Sequence, residues 1–331
     1  MDSWRLWEPG TDRLAEGDAI LPPPRRRTSG RPGTVGVVIL TFNRPDLVML
    51  AVASVQAQQR PADRIVVVDD GGSTPMPDAL RALESAGRVT LLRVANGGTA
   101  HARNAGAAII DTEYLLFLDD DDTLYPDALA GLATILDAHP TATAAAGGGR
   151  RRFGDAPPRP PEWPCTEPLD FETLMRGNAL FSSGTMVRRD AFVRVGGYEA
   201  AIPVAEDWDL WLKLAQLGPI MPSETVAVEY YVHGGNATKS SKVPRMAITL
   251  VMHYWPRLAP DVRHRVGPAL STYLIGHYAR DLGWYSLRSA RRGKLADASR
   301  EFSALGQLTW LALRHSAGRR AIWQEIRAIS R

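Results

Sequence analysis

The chain has 331 residues, enough for one large α/β domain with an added region or for two modest domains. Apolar residues make up 45% and charged residues 23%, which excludes wholesale disorder, collagen-like repeats and a coiled coil. The net charge of +3 is unevenly spread: residues 243–331 hold 15 Lys+Arg against 5 Asp+Glu, so an acidic body is followed by a basic end. That end reads either as a solvated helical face or as a surface for something anionic.

The single cysteine, Cys165, allows no internal disulfide and no cysteine-rich zinc cluster, which suits a reducing compartment, and it is given no role. Residues 1–33 carry many charges and end in Pro22-Pro23-Pro24-Arg25-Arg26-Arg27 and Gly30-Arg31-Pro32-Gly33, the composition of a mobile leader and not of a signal peptide. Charge-free stretches near the C-terminus, such as Val266–Ala279, are too short to span a bilayer. A cytoplasmic protein is expected, with peripheral contact at the inner membrane face left open.

Regular structure is expected to begin with Val35–Leu40, a β-branched run of the kind buried on both faces of a parallel sheet. A helix capped by Asn43 should follow, with Pro45 and Asp46 in its first turn and Leu47, Leu50, Ala51 and Val55 as its apolar stripe. Arg64–Val68 reads as a second strand running into Asp69-Asp70-Gly71-Gly72-Ser73, Pro77–Gly87 as a short helix, and Val89–Val94 as a third strand. Ala100–Ile110 reads as a helix, Tyr114–Leu118 as a fourth strand ending in Asp119–Asp122, and Tyr125–Ala138 as a helix with Asp122 as its cap.

Residues 147–168, with three glycines, three arginines and six prolines, read as a loop. Structure resumes with Leu169–Arg176, a strand near Thr185–Val187, the helix Trp208–Leu217 with the stripe Leu210, Trp211, Leu214 and Leu217, and a last strand Val226–Val232 before a turn at His233-Gly234-Gly235-Asn236. From Val243 the pattern is helical, and no internal repeat is found. Strands alternating with helices predict a doubly wound, mostly parallel sheet, whose ligands bind beyond the carboxyl ends of the strands. The polar clusters Thr41-Phe42-Asn43, Asp69-Asp70 and Asp119–Asp122 all sit at such ends.

Four adjacent carboxylates after an apolar strand repel one another unless a cation is present. Alternate residues of an extended segment face the same way, so Asp119 and Asp121 can share one metal, and an all-oxygen donor set selects Mg²⁺ or Mn²⁺. Glu206 and Asp207 open a helix, where acidic residues favour the helix dipole and can equally serve as a base for a hydroxyl proton; the residues alone leave both readings standing. The glycines at Asn96-Gly97-Gly98, with Arg103 one turn into the following helix, could meet phosphate. A dinucleotide fold wants its glycine fingerprint after the first strand, where Thr41–Pro45 stands instead, and this counts against hydride transfer. His233, after a strand and before Gly-Gly, is structural or serves phosphate or metal.

Five segments, in order, resemble the family 2 glycosyltransferases of the GT-A fold: Val38–Pro45, Val67–Ser73, Ala102–Gly106, Phe117–Asp122 and Glu206–Trp211. The resemblance covers roughly residues 34–240, and it implies metal-dependent, inverting transfer from a UDP- or dTDP-linked sugar. It implies that Thr41, Phe42 and Asn43 line the nucleotide pocket and that Asp70 accepts from a pyrimidine imide. Arg103 and His233 would lie near the diphosphate and Asp120 near the ribose, with Asp119 and Asp121 as the metal site and Asp207 as general base. Glu206 and Trp208 fall on the acceptor side. Gly72 and Pro75-Met76-Pro77 depart from the family pattern, so the loop beside the base is expected to be reshaped.

The acceptor, whether a glycan, a lipid-linked intermediate or a small natural product, is left open, as is the oligomeric state; no nucleic-acid partner is expected. The expected organisation is a leader to residue 33, a catalytic domain over 34–242 and a basic helical region from 243. The alternatives are a sugar-1-phosphate nucleotidyltransferase, which wants a glycine-rich basic loop after the first strand, and a catalytically silent nucleotide-sugar-binding protein.

Overall fold

The computed structural model describes residues 33–202, 204–233 and 242–313. The expected leader up to residue 32, the turn at Gly234-Gly235-Asn236, and the basic and aromatic residues Arg314, Arg319, Arg320 and Trp323 lie outside the described residues.

The parallel half of the sheet is built from β1 (Val35–Thr41), β2 (Arg64–Asp69), β3 (Thr90–Arg93) and β4 (Tyr114–Asp119). Between them run α1 (Pro45–Gln56), α2 (Asp78–Ser85) and α3 (Thr99–Ala108). Buried β-branched and leucine side chains fill both faces of β1, β2 and β4, as crossover helices on both sides require. Gly106 of α3 faces Val38 and Val68; a Cβ there would come within 2.4 Å of Val38 Cγ1, so only glycine lets this helix lie so close to the sheet.

The other half is mixed. After β5 (Thr123–Leu124) and α4 (Ala128–Ala138) come β6 (Ala144–Phe153), α5 (Phe171–Met175), β7 (Thr185–Arg188), α6 (Arg189–Arg194), α7 (Glu206–Ala215) and β8 (Ile220–Val232). The eight strands are ordered β3-β2-β1-β4-β7-β6-β8-β5. β7 is antiparallel to β4 and β6, β5 is antiparallel to β8, and β6 and β8 pair in parallel. The order reverses between β1 and β4, which opens the crevice above their carboxyl ends.

Five local expectations are corrected, the fifth at the end of α7. Asn43 does not cap α1: it has φ 57°, and its Oδ1 accepts from the Thr74 amide at 2.8 Å, so it pins the loop after β2. The buried stripe of α1 is Val48, Ala51, Val52 and Val55, and Leu50 faces solvent, because helical spacing puts positions 48, 51, 52 and 55 on the side that packs on the sheet. Asp122 does not cap α4, whose first helical residue comes six positions later; it is buried between Ser183 and the Tyr231 amide.

The fourth correction is the expected loop at 147–168, of which residues 147–153 lie in β6. There the glycines are needed because aromatic rings lie flat on the strand: a Cβ on Gly148 would meet the Trp163 ring at 2.6 Å and one on Gly149 the Phe181 ring at 2.8 Å.

The C-terminal helices are α8 (Lys242–Tyr254), α9 (Pro260–Leu274), α10 (Arg280–Arg291) and α11 (Leu295–Leu313), with a wider π turn at Ile275–Ala279. Their buried residues, among them Val251, Leu270, Leu274, Leu282 and Leu308, share one hydrophobic core with Trp208, Trp211 and Leu214 of α7. A second core lies on the opposite face of the sheet, under α1, α2 and α4. Helix α7 is therefore enclosed on nearly all sides, and Leu217, expected in its apolar stripe, lies beyond its end and is exposed.

Candidate active site

One cavity of about 680 Å³ opens above the crevice, a size that suits a small-molecule ligand. Thr41, Phe42, Asp70, Arg103, Asp119, Asp120, Asp121, Glu206, Asp207 and Trp208 all line it. Asn43 does not, for the reason already given. His233 reaches the site through Asp121, its Nε2 lying 2.8 Å from Asp121 Oδ2.

The acidic run after β4 is divided among four different environments. Asp119 Oδ1 accepts from Arg103 Nη2 at 2.7 Å. Asp120 accepts from Thr41 Oγ1 at 2.6 Å and from Arg44 Nη1 at 2.9 Å, and the same Arg44 nitrogen lies 2.9 Å from Asp121 Oδ2. Asp122 accepts from Ser183 Oγ at 2.7 Å and from the Tyr231 amide at 3.1 Å. Burial raises the pKa of Asp120 despite Thr41 and Arg44, and it raises that of Asp122 much further.

The residues fit a hard divalent cation. Asp119, Asp121 and Asp122 each offer a carboxylate oxygen within 4.8 Å of the others, an all-oxygen set of which Asp119 and Asp121 line the cavity. Asp122 has both oxygens engaged and almost no exposure, which leaves the Asp119 and Asp121 carboxylates within reach of the cavity, with His233 beside Asp121.

Across the cavity, α7 begins at Ala205, whose φ of 71° and ψ of 21° are left-handed, a conformation that costs a non-glycine residue about 1–2 kcal/mol. This turn aims Glu206 and Asp207 at the cavity. Glu206 Oε1 accepts from Arg103 Nη1 at 2.8 Å, so the buried Arg103 guanidinium bridges the two acidic groups, Asp119 on one side and Glu206 on the other. Asp207 is held at both oxygens: Oδ1 accepts from the Trp208 amide at 2.7 Å and Oδ2 from Asn178 Nδ2 at 3.3 Å. Burial raises the pKa of both carboxyls, Arg103 opposes it, and Glu206 is pushed up to about 7.

Asp70 uses its carboxylate to hold the loop before α3, accepting from the Gly97 and Gly98 amides at 2.9 Å each. Trp208 is almost wholly buried and donates from Nε1 to the Leu174 carbonyl at 2.9 Å, so it forms the floor of the site.

Four contributors are not marked by the sequence reading. Arg44, the counter-charge to Asp120 and Asp121, stands within the Thr-Phe-Asn-Arg-Pro segment and was legible there as a cation beside an acidic cluster. Asn178, which orients Asp207, comes from an irregular segment with no pattern to mark it. Tyr273 and Tyr278, from α9 and the π turn, also line the cavity. Tyr273 donates to the Asn178 carbonyl at 3.3 Å and stands edge-on to Trp208 at 6.0 Å. Cys165 is half-buried, with its thiol pushed up to about 11 by burial, and lies outside the cavity.

A sheet that reverses order beside an acidic cluster, with a second carboxylate pair facing it across one pocket, is the architecture of the GT-A glycosyltransferases. Residues 36–196 match the model of the family described as Glycosyl transferase family 2, and this segment is a family 2 glycosyltransferase domain. Among solved structures, it is similar to the mannosyltransferase PcManGT from Pyrobaculum calidifontis in complex with GDP-Man and Mn²⁺. That likeness has a TM-score of 0.52 and 20% identity, and it covers 88% of this chain and 87% of the other. It is also similar to S. aureus TarS 1-349 in complex with UDP, with a TM-score of 0.51 and 14% identity over 82% and 90% of the two chains.

Curated relatives include an uncharacterized glycosyltransferase of Rickettsia felis, 24% identical over 62% of this chain and 35% of its own length. Another is the succinoglycan biosynthesis protein ExoW of Rhizobium meliloti, 38% identical over 28% of this chain and 31% of its own. The chain thus spans about a third of the length of these curated relatives.

Proposed function

We propose that the protein transfers a glycosyl group from a nucleotide-diphosphate sugar to an acceptor hydroxyl with inversion at the anomeric carbon. The observation that carries this reading is the Arg103 bridge, which fixes Asp119 of the acidic cluster and the entrance of α7 with Asp207 on opposite sides of one cavity. The nucleotide would lie over the end of β1, against Thr41, Phe42 and Asp70, and its ribose near Asp120. Complexes of fold neighbours with UDP and with GDP-Man support a nucleotide-sugar donor and leave the choice of base open.

Asp207, held at both oxygens, takes the proton of the acceptor hydroxyl as its oxygen bonds to the anomeric carbon. The bond from that carbon to the diphosphate oxygen breaks on the opposite face, through a centre of oxocarbenium character. Asn178 and Tyr273 hold the base in place from the acceptor end. A divalent cation held by Asp119 and Asp121 would supply charge neutralisation for the departing diphosphate.

Nucleotide release from a panel of UDP-, dTDP- and GDP-sugars with added Mn²⁺, in the presence of simple sugar acceptors and of water alone, tests the proposal. Release from one donor class with the sugar recovered in inverted linkage is expected. Release of pyrophosphate from a nucleoside triphosphate and a sugar phosphate, with no release from any nucleotide sugar, would replace it with nucleotidyl transfer.

A further inference from the structure

We propose that the outer face of the α10–α11 hairpin is a docking surface for an anionic lipid bilayer. Helical spacing puts Trp284, Leu287, Arg288 and Arg291 on one stripe of α10, opposite the buried Leu282. On α11 the same spacing groups Leu295, Phe302, Trp310 and Leu313, opposite the buried Ala304, Leu308 and Leu311. Trp284 is 52% exposed, Leu287 64%, Phe302 68% and Trp310 44%, so these helices turn large apolar groups outward as well as inward. Among the described residues, six of the thirteen exposed large apolar side chains fall within residues 284–313. Helices α10 and α11 pack against each other, so these six side chains gather on one hairpin, whereas the other seven are spread over the rest of the described chain.

Charge selects the occupant. Arg288, Arg291, Arg292 and Lys294 are all exposed, and among the described residues none is paired with a carboxylate. Arg288 lies over the Trp284 ring at 4.8 Å, so cation and indole form one unit. A second copy of the chain is a poor occupant, because a two-fold contact would set this cationic patch against itself. Phospholipid headgroups of negative charge meet both halves of the surface. Arginine stems lie along the apolar boundary with their heads at phosphate, and tryptophan rings sit at headgroup depth. No helix among the described residues is long and apolar enough to cross a membrane, so the hairpin would lie in the plane of the interface. Such docking requires nothing of the transfer reaction and is read without it.

The test is sedimentation of the full chain with vesicles of phosphatidylcholine, with and without about 30% phosphatidylserine, at low and high salt. Binding only to the anionic vesicles, weakening as salt rises, is expected. Each arginine neutralised should lower partitioning about fivefold, so the triple change Arg288→Gln, Arg291→Gln, Arg292→Gln should cost about a hundredfold. Trp284→Ser with Phe302→Ser should weaken binding while keeping its salt dependence. Absence of binding at low salt, equal binding to uncharged vesicles, or wild-type binding by both variants would overturn the proposal. So would a solution dimer that the Trp284→Ser, Phe302→Ser variant dissolves. If a variant melts early, the wild-type comparison across lipid charge and salt decides alone.

Discussion

Replacing Asp207 by Asn removes one negative charge and almost no volume. Its two oxygens accept from the Trp208 amide and from Asn178, so an amide can keep one of these bonds and loses the other, at about 1 kcal/mol. Against that stands relief of its repulsion with Glu206, buried beside it and paired with the same Arg103 that faces Asp207. The two effects oppose each other, so the melting temperature should move by no more than about 2–4 °C. Turnover should respond very differently, because an amide nitrogen cannot take the acceptor proton. General-base assistance is worth ~10²–10⁴-fold, or about 3–5 kcal/mol of barrier. Donor affinity by calorimetry and turnover by nucleotide release separate the two quantities, with affinity expected within about twofold and turnover at least ~100-fold lower. Turnover close to wild type, with a stability loss of about 0.3–1 kcal/mol, would show that Asp207 serves only the helix dipole.

Asp121→Ala should abolish divalent-ion-dependent donor binding, measured by titration with and without Mn²⁺; wild-type activity unchanged in excess chelator would contradict the assignment of the acidic cluster. Burial holds the Asp207 carboxyl above the ordinary carboxylate range, and its protonated form cannot act as a base. The rate should therefore rise with pH through that raised value, and an acid limb at or below about 3.9 in the pH–rate profile would refute this. Arg103→Met strands Glu206 and Asp119 without their shared partner and should destabilise the protein by about 3–5 kcal/mol in urea unfolding. A loss under about 1 kcal/mol would mean that the bridge is not what holds the pocket together.

The parallel half of the sheet was legible because β1, β2 and β4 are continuous apolar runs that end in polar clusters, a pattern that burial on both faces dictates. Most of the cavity lining was legible for the same reason, since it sits where those runs stop. The misses have definite causes. Gly147–Gly149 looked like loop because glycine is a turn former, whereas here Gly148 and Gly149 make room for the Trp163 and Phe181 rings and Gly147 for Ala227 of the neighbouring strand. In the run Asp119–Asp122, composition gives no direction to each carboxylate, and only tertiary placement sends Asp122 to Ser183 and Asp121 to His233. Asn178 and Tyr273 come to Asp207 from 29 and 66 positions away along the chain, a proximity that no local spacing encodes.

The enclosure of α7 limits how this enzyme family can be recombined. The family-matched segment ends at residue 196, before the helix that carries Asp207, and that helix is walled by residues from beyond position 242. Tyr254 donates to the buried Asp209 at 2.9 Å, and Tyr273 leans on Trp208, so polar and aromatic fits cross the seam as well as aliphatic ones. A chimera that joined this sheet to a relative's C-terminal helices would leave Asp209 facing an unmatched partner and Trp211 under a foreign roof. Exchange of the C-terminal helices between relatives therefore has to carry α7 along with them, as one inherited cassette.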